Sequence, residues 1–597
     1  MITPMTKYSF ILLNGEQENL LEKLQEVGLV DITRSAKPMD TQSYELAGEL
    51  ELIDGLLIAI NKIELPEGTK EIPYEGEGTE DPIRTAGGIL MHYSEKTNQI
   101  KSLEKEVKDL AIWGEFDNAQ LSKLEEAGVP IHFHVLSLKK FNEEWKENFA
   151  LVEAGRDKAN VYFVVAGEDT LPGEVPVPKD DISKAKAKLL AEQQNLKELQ
   201  GVILYMKQFI PDLLEYRKEV CSKLDLHLAG ISAVPAAENT IVTLVGYAPA
   251  ENDETVTAAL DATGVFYLKE EAVVEDNPPI KLENNWFVRQ FEVLTDMYGR
   301  PGYDGFDPTP FISVFFLLFF AFCMGDCGYG LILIVIGLLL KKVDSFKDMA
   351  PLVVLLGIGT TVIGFLFHTF FSMDISTWDI FAPIKGVFLP AKIAGYDGTM
   401  VLALIVGVVH LCLAMCVKTY QETRNKGFVN ALGTWGWTLL IVGGIIVAAL
   451  AFAGVMDKDL TKWVVIVLGV VSALGIFVFN DMKRNKLANV GVGLWNTYNT
   501  ATGLLGDVLS YLRLYALGLA GSMLGMAFNN IATMVLGDGS KASLWIPFVL
   551  IVLIGHTLNI AMAALGAFVH PLRLNFLEFF KNSGYEAAGR NFNPLKK

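Results

Sequence analysis

The chain has 597 residues, 51% of them hydrophobic and 10% aromatic, with a mean hydropathy of +0.33. That composition excludes a disordered chain and a purely soluble multidomain protein, and it points to a large membrane portion. Residues 1–300 carry 30 basic and 53 acidic side chains, against 20 and 16 in residues 301–597. An acidic soluble half thus precedes a mildly basic apolar half. The acidity argues against nucleic acid, which needs Lys/Arg clusters. The first thirty residues lack the basic start and apolar core of a secretory signal, so the N-terminal half is expected to stay where it is made. Of the five cysteines, Cys323/Cys327 and Cys412/Cys416 form CxxxC pairs in apolar runs. They read as free thiols on helix faces and not as a metal site.

The soluble half opens with a β-α-β pattern: a strand at 7–13, a turn at Asn14–Gly15, an amphipathic helix carrying Leu20, Leu21, Leu24 and Val27, and a strand restarting at GLVDI. Further strands are expected at 161–167 and 240–250. Between them lie two heptad seams, Ile100, Leu103, Val107 and Leu110, then Leu196, Leu199, Ile203, Met206, Ile210 and Leu213. They predict helices near 89–112 and 183–225 that pair as an antiparallel coiled-coil arm. The αβ pieces fall near 1–85, 130–180 and 238–275. His132 and His134 share a strand face without further ligands and read as ordinary histidines.

After DPTP at 307–310 the chain becomes apolar. Eight spans are expected, near 310–325, 327–341, 350–373, 399–417, 428–455, 463–480, 494–536 and 544–580. The first two are short and meet at Gly325–Asp326. The last two exceed the ~20 residues needed for one crossing and must tilt or bend. Thirteen basic residues fall on one side: Lys341, Lys342, Lys347, Lys418, Arg424, Lys426, Lys483, Arg484, Lys486, Lys581, Arg590, Lys596 and Lys597. The opposite loops hold five: Lys385, Lys392, Lys458, Lys462 and Lys541. The positive-inside rule then makes both termini and the acidic half cytoplasmic.

Ionisable groups within an apolar run are costly and mark function. Arg513, in GDVLSYLRLYALGLAGSMLG at 506–525, cannot escape by deprotonation. It must face a carboxylate, water or another protein. Asp507 is six residues away, a poor same-face spacing. Gly521 and Gly525, with Gly518 below them, form a small-residue face that admits another helix. Arg573, in HPLRLNFLEFF, shares a face with His570, and Glu578 follows; His556 and Asn559 lie further up the span. Asp326 reads as a cap of the first hairpin. His368 and His410 read as packed histidines. The chain contains no phosphate loop and no HExxH, GxSxG or CxxC pattern. Energy for any ion movement must come from a partner.

The SYLRLYALGLA segment around Arg513 and HPLRLNFLE around Arg573 resemble the membrane-embedded a/I subunit of V-type rotary ATPases. The junction PPIKLENNWFVRQFEVLTDMYGRPGYDGFDPTPF (278–311), GDCGYG (325–330) and LALIVGVVHL (402–411) also resemble that family. Gln290 stands where the junction usually has proline, and Gly305 where glutamate is frequent. Gly521 and Ala563 replace a histidine and a glutamate of eukaryotic members, which suggests a bacterial or archaeal type.

The resemblance implies an α+β cytoplasmic domain of two αβ lobes joined by the coiled-coil arm, then an all-α domain of eight transmembrane helices. It implies a stator beside a rotating ring of proteolipid c/K subunits. Arg513 would ionise each passing ring carboxylate between two half-channels; Arg573 would reinforce the barrier, and His570, Glu578 and Asp507 would line the paths, while Gly518, Gly521 and Gly525 pack against the ring. Peripheral-stalk subunits E and G/H would hold the arm, and a central-stalk subunit would sit on the ring. No cofactor, metal, nucleotide or nucleic acid is implied, and the chain would be a non-catalytic subunit of the ATPase. The alternatives are a secondary transporter, disfavoured by the absence of internal repeats, and a membrane scaffold with a coiled-coil arm.

Overall fold

The computed structural model describes all residues except 14, 36, 67, 74–81, 115, 117, 168–170, 178–181, 237–239, 344–345, 381–385, 387, 391, 394, 480–485, 538–540 and 597. Asn14 of the expected turn, and Lys385, Lys483, Arg484 and Lys597 of the charge count, lie outside the described residues.

In chain order the elements begin with β1 (Met5–Leu13), α1 (Gln17–Val27), β2 (Asp31–Ile32), α2 (Thr41–Lys62), α3 (Pro82–Ala111), α4 (Asn118–Glu126), β3 (Ile131–Ser137), α5 (Trp145–Asn148), β4 (Leu151–Arg156), β5 (Asn160–Ala166) and β6 (Glu174–Val175). They continue with α6 (Ile182–Lys207), α7 (Ile210–Ile231), β7 (Val234–Ala236), β8 (Ile241–Pro249), α8 (Asp253–Thr263), β9 (Phe266–Glu271), α9 (Trp286–Arg289) and α10 (Glu292–Tyr298). The apolar half comprises α11 (Thr309–Met324), α12 (Cys327–Leu340), α13 (Ala350–Leu366), α14 (Gly398–Lys426), α15 (Leu432–Thr438), α16 (Gly444–Phe452), α17 (Lys458–Phe477), α18 (Lys486–Ser510), α19 (Leu512–Leu536), α20 (Trp545–Arg573) and α21 (Phe580–Ser583). The chain divides into two compact units.

One unit comprises residues 13–28, 33–242 and 595–597. Its antiparallel sheet has the order β4–β5–β3–β6. Period-2 alternation puts Val161, Phe163 and Val165 on the buried side, each 0% exposed. Its long helices run in antiparallel pairs. In α3 and α6, Leu110 packs near Ile182 and Ala185, and Lys96 meets Glu192 at 2.8 Å. In α2 and α7, Ile53, Leu57 and Val220 form the core, with Arg217 on Asp54 at 2.5 Å and His227 on Asp40 at 2.8 Å. Asp40 also caps α2 by accepting from Ser43 N–H. Hydrogen bonding from Ser43, then His227, holds the Asp40 carboxyl down at about 2. The helix expected over 183–225 is interrupted at Gln208–Phe209. Pro211, at the start of α7, has no N–H to continue the α6 ladder.

The other unit comprises residues 1–12, 29–32 and 243–594. Its sheet has the order β2–β8–β1–β9. β8 therefore separates the two strands expected to form a β-α-β opening, and β2 pairs antiparallel with β8 instead. Strands near residues 1–32 and 241–271 share one sheet and are not two separate αβ pieces. The C-terminal tail joins this layer. Asn591 pairs with Ile280, and Gly589 with Arg300. The Tyr585 hydroxyl donates to Gly299 O at 2.6 Å. Arg590 lies 5.5 Å from the Tyr247 ring centroid.

Helices occupy the expected apolar runs. Among the described residues, five helical stretches are long and apolar enough to cross a membrane by length and composition; α11, α12 and α13 are shorter. The third run stops at Leu366 and not near 373, because His368, Phe371 and Ser372 take positive φ in a small β-hairpin. α12 and α13 approach at backbone distance: a Cβ at Gly364 would lie 2.2 Å from Cys327 N.

Candidate functional site

The two longest helical stretches are both irregular where the sequence places its arginines. At Tyr511 the ladder tightens: Tyr511 N–H donates to Val508 O at 3.2 Å, and Leu514 N–H to Tyr511 O at 3.1 Å. These are i→i+3 bonds that separate α18 from α19. In the second stretch Pro571 lies inside α20. Its missing N–H loosens the ladder, and residues Leu574–Phe579 form a π-helical turn.

Arg513 follows the tightened turn by two residues. It makes no ion pair with Asp507, whose carboxylate goes to Lys581 at 3.4 Å and to Asn582 at 2.8 Å. Arg513 Nη1 is buried with no partner among the described residues, as are His570 Nδ1, Asn575 Oδ1, Glu578 Oε2 and His410 Nε2. Leaving each such atom unpaired costs about 1–3 kcal/mol. Glu578 and Asn575 are 4% and 0% exposed. His570 lies within electrostatic range of both Arg513 and Arg573, and the buried Tyr511 within range of Glu578 and Asp507. Arg573 itself is exposed. The structure thus brings His570 near both Arg513 and Arg573, and Tyr511 near both Asp507 and Glu578.

Two cavities flank Arg513 along the α18–α19 axis. One, of about 360 Å³, touches Asn499 and Asp507 before the arginine, with Lys418, Thr434, Lys581 and Asn582 opposite. The other, of about 250 Å³, touches Tyr515, Gly518 and Ser522 after it, with Phe322, His368 and Asp397 opposite. Arg513 lines neither, and lies in sequence between their α18 and α19 residues. Sequence reasoning missed Lys418, Asn499, Asn582, Tyr515, Ser522 and Asp397 as lining groups. Their only signal was polarity beside an apolar run, which spans share with ordinary loop ends.

Asp326 is the cap expected of it, and more. Its carboxylate accepts from the N–H groups of Gly328 (2.8 Å), Tyr329 (3.2 Å), Phe371 (2.9 Å) and Ser372 (2.6 Å). Beyond it runs a buried network. Asn559 Nδ2 donates to Tyr329 Oη at 2.8 Å and to Gly521 O at 2.9 Å. Tyr329 Oη meets His556 Nδ1 at 2.7 Å, and His556 Nε2 meets Asn529 Oδ1 at 2.9 Å.

The small-residue face makes close approaches within the chain. A Cβ at Gly518 would lie 2.8 Å from Phe322 O, and one at Gly525 would lie 2.0 Å from Ser372 Oγ. Gly521 has more room, with Ala563 at 4.0 Å. Its exposed apolar neighbours include Met523, Met562 and Leu565, at 60%, 60% and 68%.

The family model described as the V-type ATPase 116kDa subunit family matches residues 177–381 and 501–597. The A-type ATP synthase subunit I of Methanocaldococcus jannaschii is 28% identical over 84% of this chain and 74% of its own length. That of Pyrococcus abyssi is 30% identical over 75% and 68%. The V-type ATP synthase subunit I of Borreliella burgdorferi is 23% identical over the whole of both chains. A crystal structure of the cytoplasmic N-terminal domain of a subunit I, homolog of subunit a of V-ATPase, is 14% identical. It covers 45% of this chain and all of that one, at a TM-score of 0.23. Matched across both the junction and the two arginine helices, the chain belongs to the V-type ATPase 116 kDa subunit family, as a non-catalytic membrane subunit of a rotary ATPase.

Proposed function

We propose that the chain is the ion-conducting stator of its complex, and that Arg513 is the barrier between two half-channels. The carrying observation is a half-buried arginine whose Nη1 has no partner among the described residues, with one cavity at residues before it on the helix and one at residues after it. A ring of proteolipid c/K subunits turns past the exposed faces of α19 and α20. Ring carboxylates stay neutral in lipid, because an unpaired charge there is prohibitive. Opposite Arg513, the guanidinium favours the ionised form and the ion departs. The cavity at Asp507, with Glu578 beyond Tyr511, serves the cytoplasmic path; the cavity at Tyr515 and Asp397 serves the opposite side. The fixed cation repels any ion passing directly between them. His570 and Arg573 add polarity and positive charge.

The ring-facing contact falls on Met523, Met562 and Leu565 with Gly521 between them, because Gly518 and Gly525 already meet the chain's own atoms. The antiparallel helices of the N-terminal half act as the arm that binds peripheral-stalk subunits E and G/H. A central-stalk subunit sits on the ring. Both termini are cytoplasmic, in the cell membrane, as the basic-residue distribution supports.

The test is ATP-driven ion uptake in vesicles carrying the assembled complex. Arg513→Ala should abolish uptake while assembly persists, and Arg513→Lys should restore little of it, since a compact ammonium does not reproduce the planar fork. Undiminished uptake by Arg513→Ala sinks the mechanism. Repeating the assay with and without Na⁺ and a protonophore names the ion.

A further inference from the structure

One buried histidine touches both helix irregularities. His410, on α14, is 0% exposed. Its Nδ1 shares a 2.9 Å hydrogen bond with the hydroxyl of Tyr511, the residue at the tightened turn. Its ring stacks on Phe579, the last residue of the π-helical turn, at 4.7 Å and 6°. Phe315 closes the other side at 4.2 Å. Three residues earlier on the same helix face, Gly407 makes room for the Tyr511 ring: a Cβ there would lie 2.3 Å from Tyr511 Cγ. Packing alone does not explain a histidine here. Its Nε2 is left without a partner among the described residues, and an aromatic hydrocarbon would fill the same stack without that loss.

We propose that His410 and Tyr511 are positioning residues that set Arg513 and Arg573 relative to each other. The argument is geometric. Tyr511 cannot shift along the Gly407 notch while its hydroxyl is held, so the i→i+3 turn is fixed. Arg513, two residues on, takes its direction from that turn. Phe579 ends the π-helical turn that begins directly after Arg573, and its ring is fixed by the same imidazole. A single side chain therefore registers the two arginine-bearing helices. This rests on the stator reading above and deepens it: the barrier needs the arginine at a defined place, and displacements of about 1 Å can cost up to 100-fold in rate.

The experiment measures ATP-driven ion uptake per assembled complex, and passive ion leak without ATP, in vesicles. The ion is followed by a pH dye and by radioactive sodium. Tyr511→Phe removes one oxygen and keeps the ring; His410→Phe removes the hydrogen bond and keeps the stack. Both should lower uptake per assembled complex by about tenfold or more and raise leak, with ATP hydrolysis continuing. His410→Asn, which presents a polar atom where Nδ1 stands, should restore most uptake. A merely structural role would lower the amount of assembled complex but leave ions moved per ATP unchanged. If His410→Phe does not assemble, Tyr511→Phe decides. Normal uptake and leak in Tyr511→Phe, with Arg513→Ala inactive, overturns this inference and leaves the stator reading standing. Normal uptake in Arg513→Ala as well overturns both.

Discussion

Asp326→Asn tests whether one carboxylate locks the joined ends of the first two apolar helices. The native side chain takes four backbone N–H groups, three on Oδ1 and the shortest, from Ser372 at 2.6 Å, on Oδ2. Phe371 and Ser372 are held at φ 47° and 57°, conformations that cost about 1–3 kcal/mol each for non-glycine residues. Asparagine keeps the three bonds on its oxygen but turns an NH₂ group towards Ser372 N–H, so two donors face each other. The loss is one charge-assisted bond plus an unpaired buried donor, about 2–4 kcal/mol in all. The assay is maleimide labelling of Cys323, which is 2% exposed in the adjoining turn of α11, with the other four cysteines replaced. Where reclosing outruns labelling, the rate follows the opening equilibrium. The loss then corresponds to labelling about 30- to 900-fold faster. An unchanged rate would refute the view that these four bonds hold the turn.

Gly364→Ala places a methyl 2.2 Å from Cys327 N and 2.4 Å from Asp326 C. Backbone atoms cannot yield, so a loss of about 3 kcal/mol or more is expected, read as loss of assembled subunit. Gly491→Ala in α18 meets nothing within 4 Å and should be neutral or stabilising by about 0.5–1 kcal/mol, read from the melting temperature in detergent. His556→Phe takes the His556 partner from Tyr329 Oη, which keeps its bond from Asn559, and from Asn529 Oδ1, and should cost about 0.6–2 kcal/mol in the same melt. The Asp40 carboxyl, depressed to about 2, contributes stability that is present above its unfolded value of about 3.9 and is lost as pH falls through about 2. Hydrogen exchange in the first turn of α2, corrected for intrinsic rate, should rise over that window in the wild type and lose this dependence in Asp40→Ala.

The apolar runs, the two arginines and the two-residue connection at Gly325–Asp326 were legible because each is a local property of the chain. Length and hydropathy place a helix, and a cation inside it stands out. The heptad seam through Ile203, Met206, Ile210 and Leu213 predicted one continuous helix, and Pro211 within it marks where the helix broke. The sheet order was not legible: nothing local in GLVDI says that β8 inserts between β2 and β1. The same holds for the cavities. Lys418 and Asn582 lie 164 residues apart in sequence and meet beside Asp507 only through packing. The glycine face was recognised as a close-contact surface, but its partner is decided by three-dimensional neighbours. For Gly518 and Gly525 those neighbours are Phe322 and Ser372 of the same chain.

The shared sheet and the returning tail set an order in time. β1 leaves the ribosome first, yet its neighbours β8 and β9 begin at Ile241 and Phe266. At synthesis rates of about 5–20 residues per second, β1 waits roughly 10–50 s for β8. Asn591 and Gly589 reach their partners Ile280 and Arg300 only after every apolar helix has been made. The N-terminal layer is therefore finished last, while the edges of β1 stay open to wrong pairing until β8 and β9 have been made. Insertion of the apolar helices and closure of the first strand's layer become successive steps of one assembly, with Gly589 and Asn591 as the closing stitch.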